Sequence, residues 1–446
     1  MERLTPIFFF LTFSLLTTAC TPSDTCQIDK TSFATCLKLA AQGDAEAQYK
    51  TGKLYETGLG IEQNYQEAAK WYTQSAGQDN ADGQANLGKF YKKGLGVEQD
   101  YQEAIEWYEK AIKQGKTDLQ ADLDELYKVE AERHIQLANQ GNTGAQSYLG
   151  YLYYHGLGVA QDYKEAAEWH TLAATQGDIK SQSSLGYLYS EGLGVQQDYK
   201  EAVKWSLQAA EQGNAIAQHN MGYFSLEGLG VIQDNQEAIK WYTQAANQGY
   251  LDAQLQLGAL YHEGIGGIQN YPESARWYTK AAEQGDAHAQ SMLGDFYRIG
   301  QGLTQSYKKA AKWYAEAAKQ GDVSAQANLG YLYSEGLGVQ KNSATAIEWF
   351  LKAADQGSAT AANNLGAHYF DGDGVKKDYE KAIEWFTKSA ELGESMAQRN
   401  LGTIYEQGKI VPQDYEKALK WYQKAADNGA SDVVLKVEEL TKKIKK

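Results

Sequence analysis

Apolar residues recur every third or fourth position along most of the chain, a spacing that places them on one face of an α-helix. In Gly177–Gln212, GDIKSQSSLGYLYSEGLGVQQDYKEAVKWSLQAAEQ, one face carries Ile179, Ser181, Leu185, Leu188 and Tyr189. A second carries Ala202, Val203, Trp205, Ala209 and Ala210. Between them lies Gly192-Leu193-Gly194-Val195, a loop, with Asp198 placed to cap the second helix. The pattern predicts a helix-loop-helix unit. Its period is set by tryptophans at 71, 107, 169, 205, 241, 277, 313, 349, 385 and 421, spaced by 36 except for one gap of 62. Ten full repeats of 36 residues and one of 26, at Gly115–Gln140, therefore fill residues 43–428.

One helix pair cannot bury its own apolar faces, so the repeats must stack around a continuous core. Alanines let the helices approach and the tryptophan fills the space between them. Gly186 sits inside a helix, where glycine costs about 1 kcal/mol relative to alanine. Its recurrence at Gly52, Gly88, Gly150 and in later repeats implies a neighbour too close to admit a Cβ.

Ala145-Gln146, Leu149-Gly150, Leu152-Tyr153, Gly156, Gly158-Val159, Asp162-Tyr163, Glu165-Ala166, Trp169 and Ala173-Ala174 make this pattern resemble the Sel1-like repeat, a relative of the tetratricopeptide repeat. The resemblance covers residues 43–428. It implies an all-α fold, a right-handed α/α superhelical solenoid of 36-residue repeats whose first helices line a concave side. It implies adaptor and interaction roles and no catalytic class.

The ends differ from the repeats. Residues 1–19 read as an export signal, with Arg3 ahead of a short apolar stretch. Leu16-Thr17-Thr18-Ala19-Cys20 resembles the processing box of bacterial lipoproteins, in which Cys20 becomes the acylated first residue. Thr17 and Ala19 also suit an ordinary signal peptidase. Lipidating Cys20 leaves Cys26 and Cys36 as an even pair for a disulfide in an oxidising compartment. Residues 20–42 are expected to be a lipidated linker and a capping helix, Phe33–Gln42. Residues 429–446 carry Val433, Val437, Leu440 and Ile444 at helical spacing and end in lysines. They read as a C-terminal cap, with a basic membrane contact as the alternative.

Composition narrows the function. The formal charge is −15, and 5 of 42 basic residues are arginine, which argues against a nucleic-acid partner. No HExxH, CxxC pair or calcium loop occurs, the seven histidines are scattered, and no metal or cofactor is expected. The Gly-Leu-Gly loops lack a preceding strand and a following GK[ST], so they read as fold requirements. Ser306-Tyr307-Lys308-Lys309 has the SxxK spacing of penicillin-interacting enzymes, without an accompanying SDN or KTG. The chain reads as a non-enzyme.

Binding columns should be those that vary between repeats. Ten and thirteen residues into each repeat, Tyr151, Tyr154, Tyr187, Tyr223 and Leu226 fall in three successive repeats, and Tyr331 and Phe370 form a second group. They are the candidate protein-binding residues, an aromatic stripe suited to protein contact. The alternative is that these rings pack between adjacent first helices. The expected function is a periplasmic scaffold or adaptor, an outer-membrane lipoprotein that grips a protein or peptide partner in its concave face. An immunity protein neutralising a periplasm-delivered toxin is one alternative, and a peptidoglycan or β-lactam hydrolase another. A capped array needs no second subunit, so a monomer is expected.

Overall fold

Asp, Asn or Ser precedes most helices, and its side chain accepts from backbone N–H groups of the first turn. Asp162, for example, accepts from the N–H groups of Lys164 and Glu165. Most first helices end at a left-handed glycine, such as Gly156 at φ 70°. These signals divide the chain in the computed structural model, which describes residues 26–267 and 269–445. The export segment and Cys20 lie outside the described residues. The chain divides into two compact parts, with the division after Gln197.

The N-terminal part holds α1 (Phe33–Ala41), α2 (Ala45–Thr57), α3 (Tyr65–Ala76), α4 (Ala81–Lys93), α5 (Tyr101–Lys113), α6 (Gln120–Asn139), α7 (Thr143–His155), α8 (Tyr163–Thr175) and α9 (Ile179–Glu191). The C-terminal part begins with α10 (Tyr199–Glu211). It continues with α11 (Ala215–Glu227), α12 (Asn235–Asn247), α13 (Leu251–Glu263), α14 (Tyr271–Glu283), α15 (Ala287–Ile299) and α16 (Tyr307–Lys319). It ends with α17 (Val323–Glu335), α18 (Ser343–Asp355), α19 (Ala359–Asp371), α20 (Tyr379–Glu391), α21 (Ser395–Gln407), α22 (Tyr415–Asp427) and α23 (Val434–Ile444). Both parts are all-α stretches of repeated helix pairs, each helix packing on its sequence neighbour. Among the described residues no helix is long and apolar enough to cross a membrane.

The recurrent glycine of the first helix has a steric cause. A Cβ on Gly330 would lie 2.8 Å from the Phe350 ring. The same approach brings Tyr72 to Gly52 and His170 to Gly150. The second loop glycine touches the preceding repeat. A Cβ on Gly158 would lie 2.3 Å from the Tyr127 carbonyl carbon, at a φ of 68°.

A polar ladder joins successive repeats within each part. Gln146 is buried, and its Nε2 donates to the Ala138 carbonyl at 3.1 Å. Its Oε1 accepts from Gln176 at 2.7 Å. Gln254 repeats this with Ala246 at 3.1 Å and Gln284 at 2.8 Å. These helix-end carbonyls already accept from the Gly141 and Gly249 N–H groups, and each glutamine amide supplies a second, buried donor.

The shortened repeat departs from helix-loop-helix form. The ten missing residues are the glycine loop, and α6 runs unbroken for 20 residues. Between Thr117 and Gln140 there is no glycine or proline to stop it. Leu123, Leu126, Tyr127, Glu130 and Ala131 form its buried face. Tyr127, which stands where other repeats begin their second helix, lies mid-helix.

At the N-terminal end Cys26 and Cys36 are joined by a disulfide, Cα atoms 4.6 Å apart. Cys36, Ala40, Ala47 and Leu54 form a small core with Phe33 and Trp71. At the other end α23 buries Leu440, and Val433 just ahead of it, against Ala418 and Tyr422. Lys436 pairs with Glu406 at 2.8 Å, and Lys443 donates to the Tyr415 hydroxyl at 2.9 Å.

Candidate functional site

The exposed faces of α7 and α9 carry three of the sequence-predicted tyrosines, and the structure brings them into one path of rings. Tyr151 and Tyr187 are 44% and 42% exposed. Tyr154 is half-buried. Its ring meets Tyr187 edge-on at 6.4 Å and His155 at 4.8 Å. His155 meets Tyr151 at 4.4 Å, and Tyr151 stacks on Tyr148 at 6.3 Å. Tyr148 meets His134 of α6 at 4.5 Å. The path thus runs from residue 134 to residue 187. His134, Tyr148 and His155 extend the predicted set. Tyr148 lies a turn before Tyr151, outside the two variable columns ten and thirteen residues into each repeat.

Beside this path is a cleft of about 1010 Å³, lined by His134, Ser147, Tyr148, Tyr151, His170 and Lys180 among others. Its back wall is a chain of hydrogen bonds. His170 Nδ1 lies 3.1 Å from Ser181 Oγ, which donates to Ser147 Oγ at 2.9 Å. Ser147 Oγ donates to Asp178 at 2.8 Å. Burial lowers the His170 pKa to about 4, so the imidazole is neutral near pH 7. Burial raises the Tyr148 hydroxyl well above its ordinary value, and Glu130 adds to the shift. Burial, with a hydrogen bond to Tyr187, pushes Tyr154 up to about 12. None of these groups is poised for proton transfer at neutral pH.

The C-terminal part holds the other candidates. Tyr223 is exposed and its ring lies 6.1 Å from Phe224. Leu226 is half-buried against the Tyr242 core. Tyr331 is exposed and lines a cleft of about 220 Å³ with Phe350 and His368. Phe370 is not among the residues lining that cleft. It packs edge-on against Tyr379 at 5.3 Å. Arg298 and Asp295, a polar break in the columns, form an ion pair at 2.9 Å, and both bond to the Tyr314 hydroxyl.

The SxxK residues have structural uses. Ser306 caps α16, accepting from the Lys309 N–H at 3.4 Å. The Lys309 ammonium lies 5.0 Å from the Tyr297 ring centre. Among the described residues no group of three or more His, Cys, Asp or Glu could hold a metal ion.

The Sel1 repeat profile matches residues 45–80 and 81–116 and eight successive stretches from 143 to 429. It skips 117–142, where α6 runs unbroken. A solved structure of a protective antigen present in uropathogenic Escherichia coli strains, displaying an SLR fold, is 34% identical. The match covers 92% of this chain and 90% of that one, with a TM-score of 0.62. A Sel1 repeat protein from Oxalobacter formigenes is 31% identical over 69% of this chain and 90% of its own, with a TM-score of 0.52. No curated protein sequence matches the chain. With ten matched repeats and a relative of this similarity along nearly its whole length, the chain belongs to the Sel1 repeat family.

Proposed function

We propose that the protein is a scaffold or adaptor on the periplasmic face of the bacterial envelope, gripping a protein or peptide partner along the α7–α9 ring path. A Sel1/TPR-like repeat protein of this build is a protein–protein interaction module. The observation that carries the site is the path itself, six rings from His134 to Tyr187 with Tyr151 and Tyr187 open to solvent. Tyrosines present large, rigid, amphipathic area at low entropic cost, which suits a contact surface.

In this reading acyl chains on Cys20 anchor the protein to the outer membrane, and the array acts as a monomer. The leader pattern ending at Cys20 supports the anchor. Cys20→Ser should move the protein from the membrane to the soluble fraction. Retention in the membrane would contradict the anchor.

Changing Tyr151, Tyr154 and Tyr187 together to alanine should abolish partner capture in a pull-down from the native cell. The variant's circular dichroism and melting should stay close to wild type. Undiminished capture by the folded variant would remove the site.

A further inference from the structure

Behind His134, which lines the cleft beside α6, lies a buried carboxylate with one oxygen unmet. Glu130 is fully buried, and it is the one buried carboxylate among the described residues. Its Oε2 has no hydrogen-bond partner. Arg133 reaches Oε1 at 3.4 Å from a side chain 64% exposed. His134 Nδ1 lies 3.4 Å from Oε2 but only 2.8 Å from the Glu130 carbonyl oxygen. A carbonyl can only accept, so Nδ1 carries a proton directed at that carbonyl rather than at Oε2. A buried carboxylate with an unmet oxygen is costly unless a counter-charge comes near.

The walls in front of Glu130 suit a cation. His134 and Tyr148 line the cleft, and Tyr148 and Tyr151 stack with their planes 19° apart. Ring faces attract ammonium and guanidinium groups. Glu109, which accepts the Tyr127 hydroxyl at 2.5 Å, acts electrostatically on Tyr148 and Tyr151 as a second carboxylate. Lys180 is the one cationic side chain on the lining. Asp178, at its own end of the cleft, accepts from Ser147 and from the Ser181 N–H. The whole chain carries −15, so the long-range field also favours a positive guest.

We propose that the cleft between α6 and α7 is a cage for a lysine or arginine side chain of the partner, with the ring faces of Tyr148 and Tyr151 around it and Glu130 behind. This rests on the ring-path reading and assigns the partner a basic residue at the α6 end. Deletion of the glycine loop from the third repeat produced the cage, since the unbroken α6 brings Glu130 and His134 to Tyr148.

The test uses the full chain and three fluorescein-labelled Gly/Ser peptides that differ at two positions, carrying lysine, acetyl-lysine or glutamate. Anisotropy should show the lysine peptide binding at least tenfold tighter than the acetyl-lysine peptide, and the glutamate peptide weakest. Glu130→Gln, isosteric and neutral, should remove most of that preference. The wild-type peptide series stands by itself if this variant fails to fold. Equal binding of lysine and acetyl-lysine peptides, or no lysine-peptide binding at millimolar concentration, overturns the cage. Preference for glutamate overturns it in favour of an anion near Lys180. If the cage fails while the triple tyrosine variant still loses its native partner, the ring-path reading survives; if that variant keeps its partner, the ring path itself fails.

Discussion

At position 170 a histidine stands where other repeats place Tyr72, Tyr108, Phe350 or Tyr422 against the glycine of the first helix. That exchange makes stability depend on pH. The unfolded imidazole takes up a proton near pH 6.5, the folded one only near 4. Between those values the unfolded chain holds the extra proton, so stability falls as the solution is acidified from 6.5 to 4. The loss amounts to about 3 kcal/mol at most. His170→Phe should flatten the slope of urea-denaturation free energy against pH in that window; an unchanged slope would place the titration elsewhere. The glycines give a paired test. Gly330→Ala should destabilise despite the better helix propensity of alanine, because its Cβ would press the Phe350 ring. Gly144→Ala, in α7 with only Asn142 Oδ1 within 4 Å, should stabilise by about 0.4–1 kcal/mol. Equal melting shifts in the two would discount the steric cause. The glycine column was legible in the sequence. The ring filling each gap was not, because it lies 20 residues away on the second helix.

Helices were legible to within a few residues wherever a capping Asp, Asn or Ser and a closing glycine bracket them. The shortened repeat was legible as a deletion, but its outcome was not drawn from it. Lack of any glycine or proline from Thr117 to Gln140 is the signal that the two helices would fuse. The glutamine ladder was likewise visible as a column without a role, since a buried amide declares itself only when its carbonyl partner is located. Gln254→Ala removes two hydrogen bonds, its own to the Ala246 carbonyl and the one it accepts from Gln284, while the Gly249 N–H and carbonyl still serve those two groups. It should cost about 1–3 kcal/mol in urea denaturation. A cost near zero would mean that water replaces the rung. In the tenth repeat the equivalent positions are Ala362 and Leu392, so both halves of the rung are absent together. Losing both partners costs less than stranding one. At the N-terminal end, reducing Cys26–Cys36 opens a short loop and should destabilise the first helix pair by about 3 kcal/mol. Proteolysis at α1 that is unchanged by reductant would contradict this.

For the molecule as a whole, the period accounts for the excess of glycine and for all ten tryptophans, and it leaves function to the positions that break it. Tyr151, Tyr154 and Tyr187 could be found by comparing columns. His134 could not, because it sits in the one repeat whose register is interrupted. Tyr331 and Phe370 share a column logic but not a cleft, since Phe370 turns onto Tyr379. Column comparison finds which positions vary, and packing decides which of those reach solvent. The central claim is that partner contact runs along the ring path. Photo-cross-linking in the native cell tests it most directly, with benzoylphenylalanine placed at Tyr151, at Tyr187 and, as a control, at Leu172, which is 47% exposed on α8. A discrete protein adduct from positions 151 and 187, absent from 172, is the expected result. Adducts from 172 alone, or equally from all three, would contradict it.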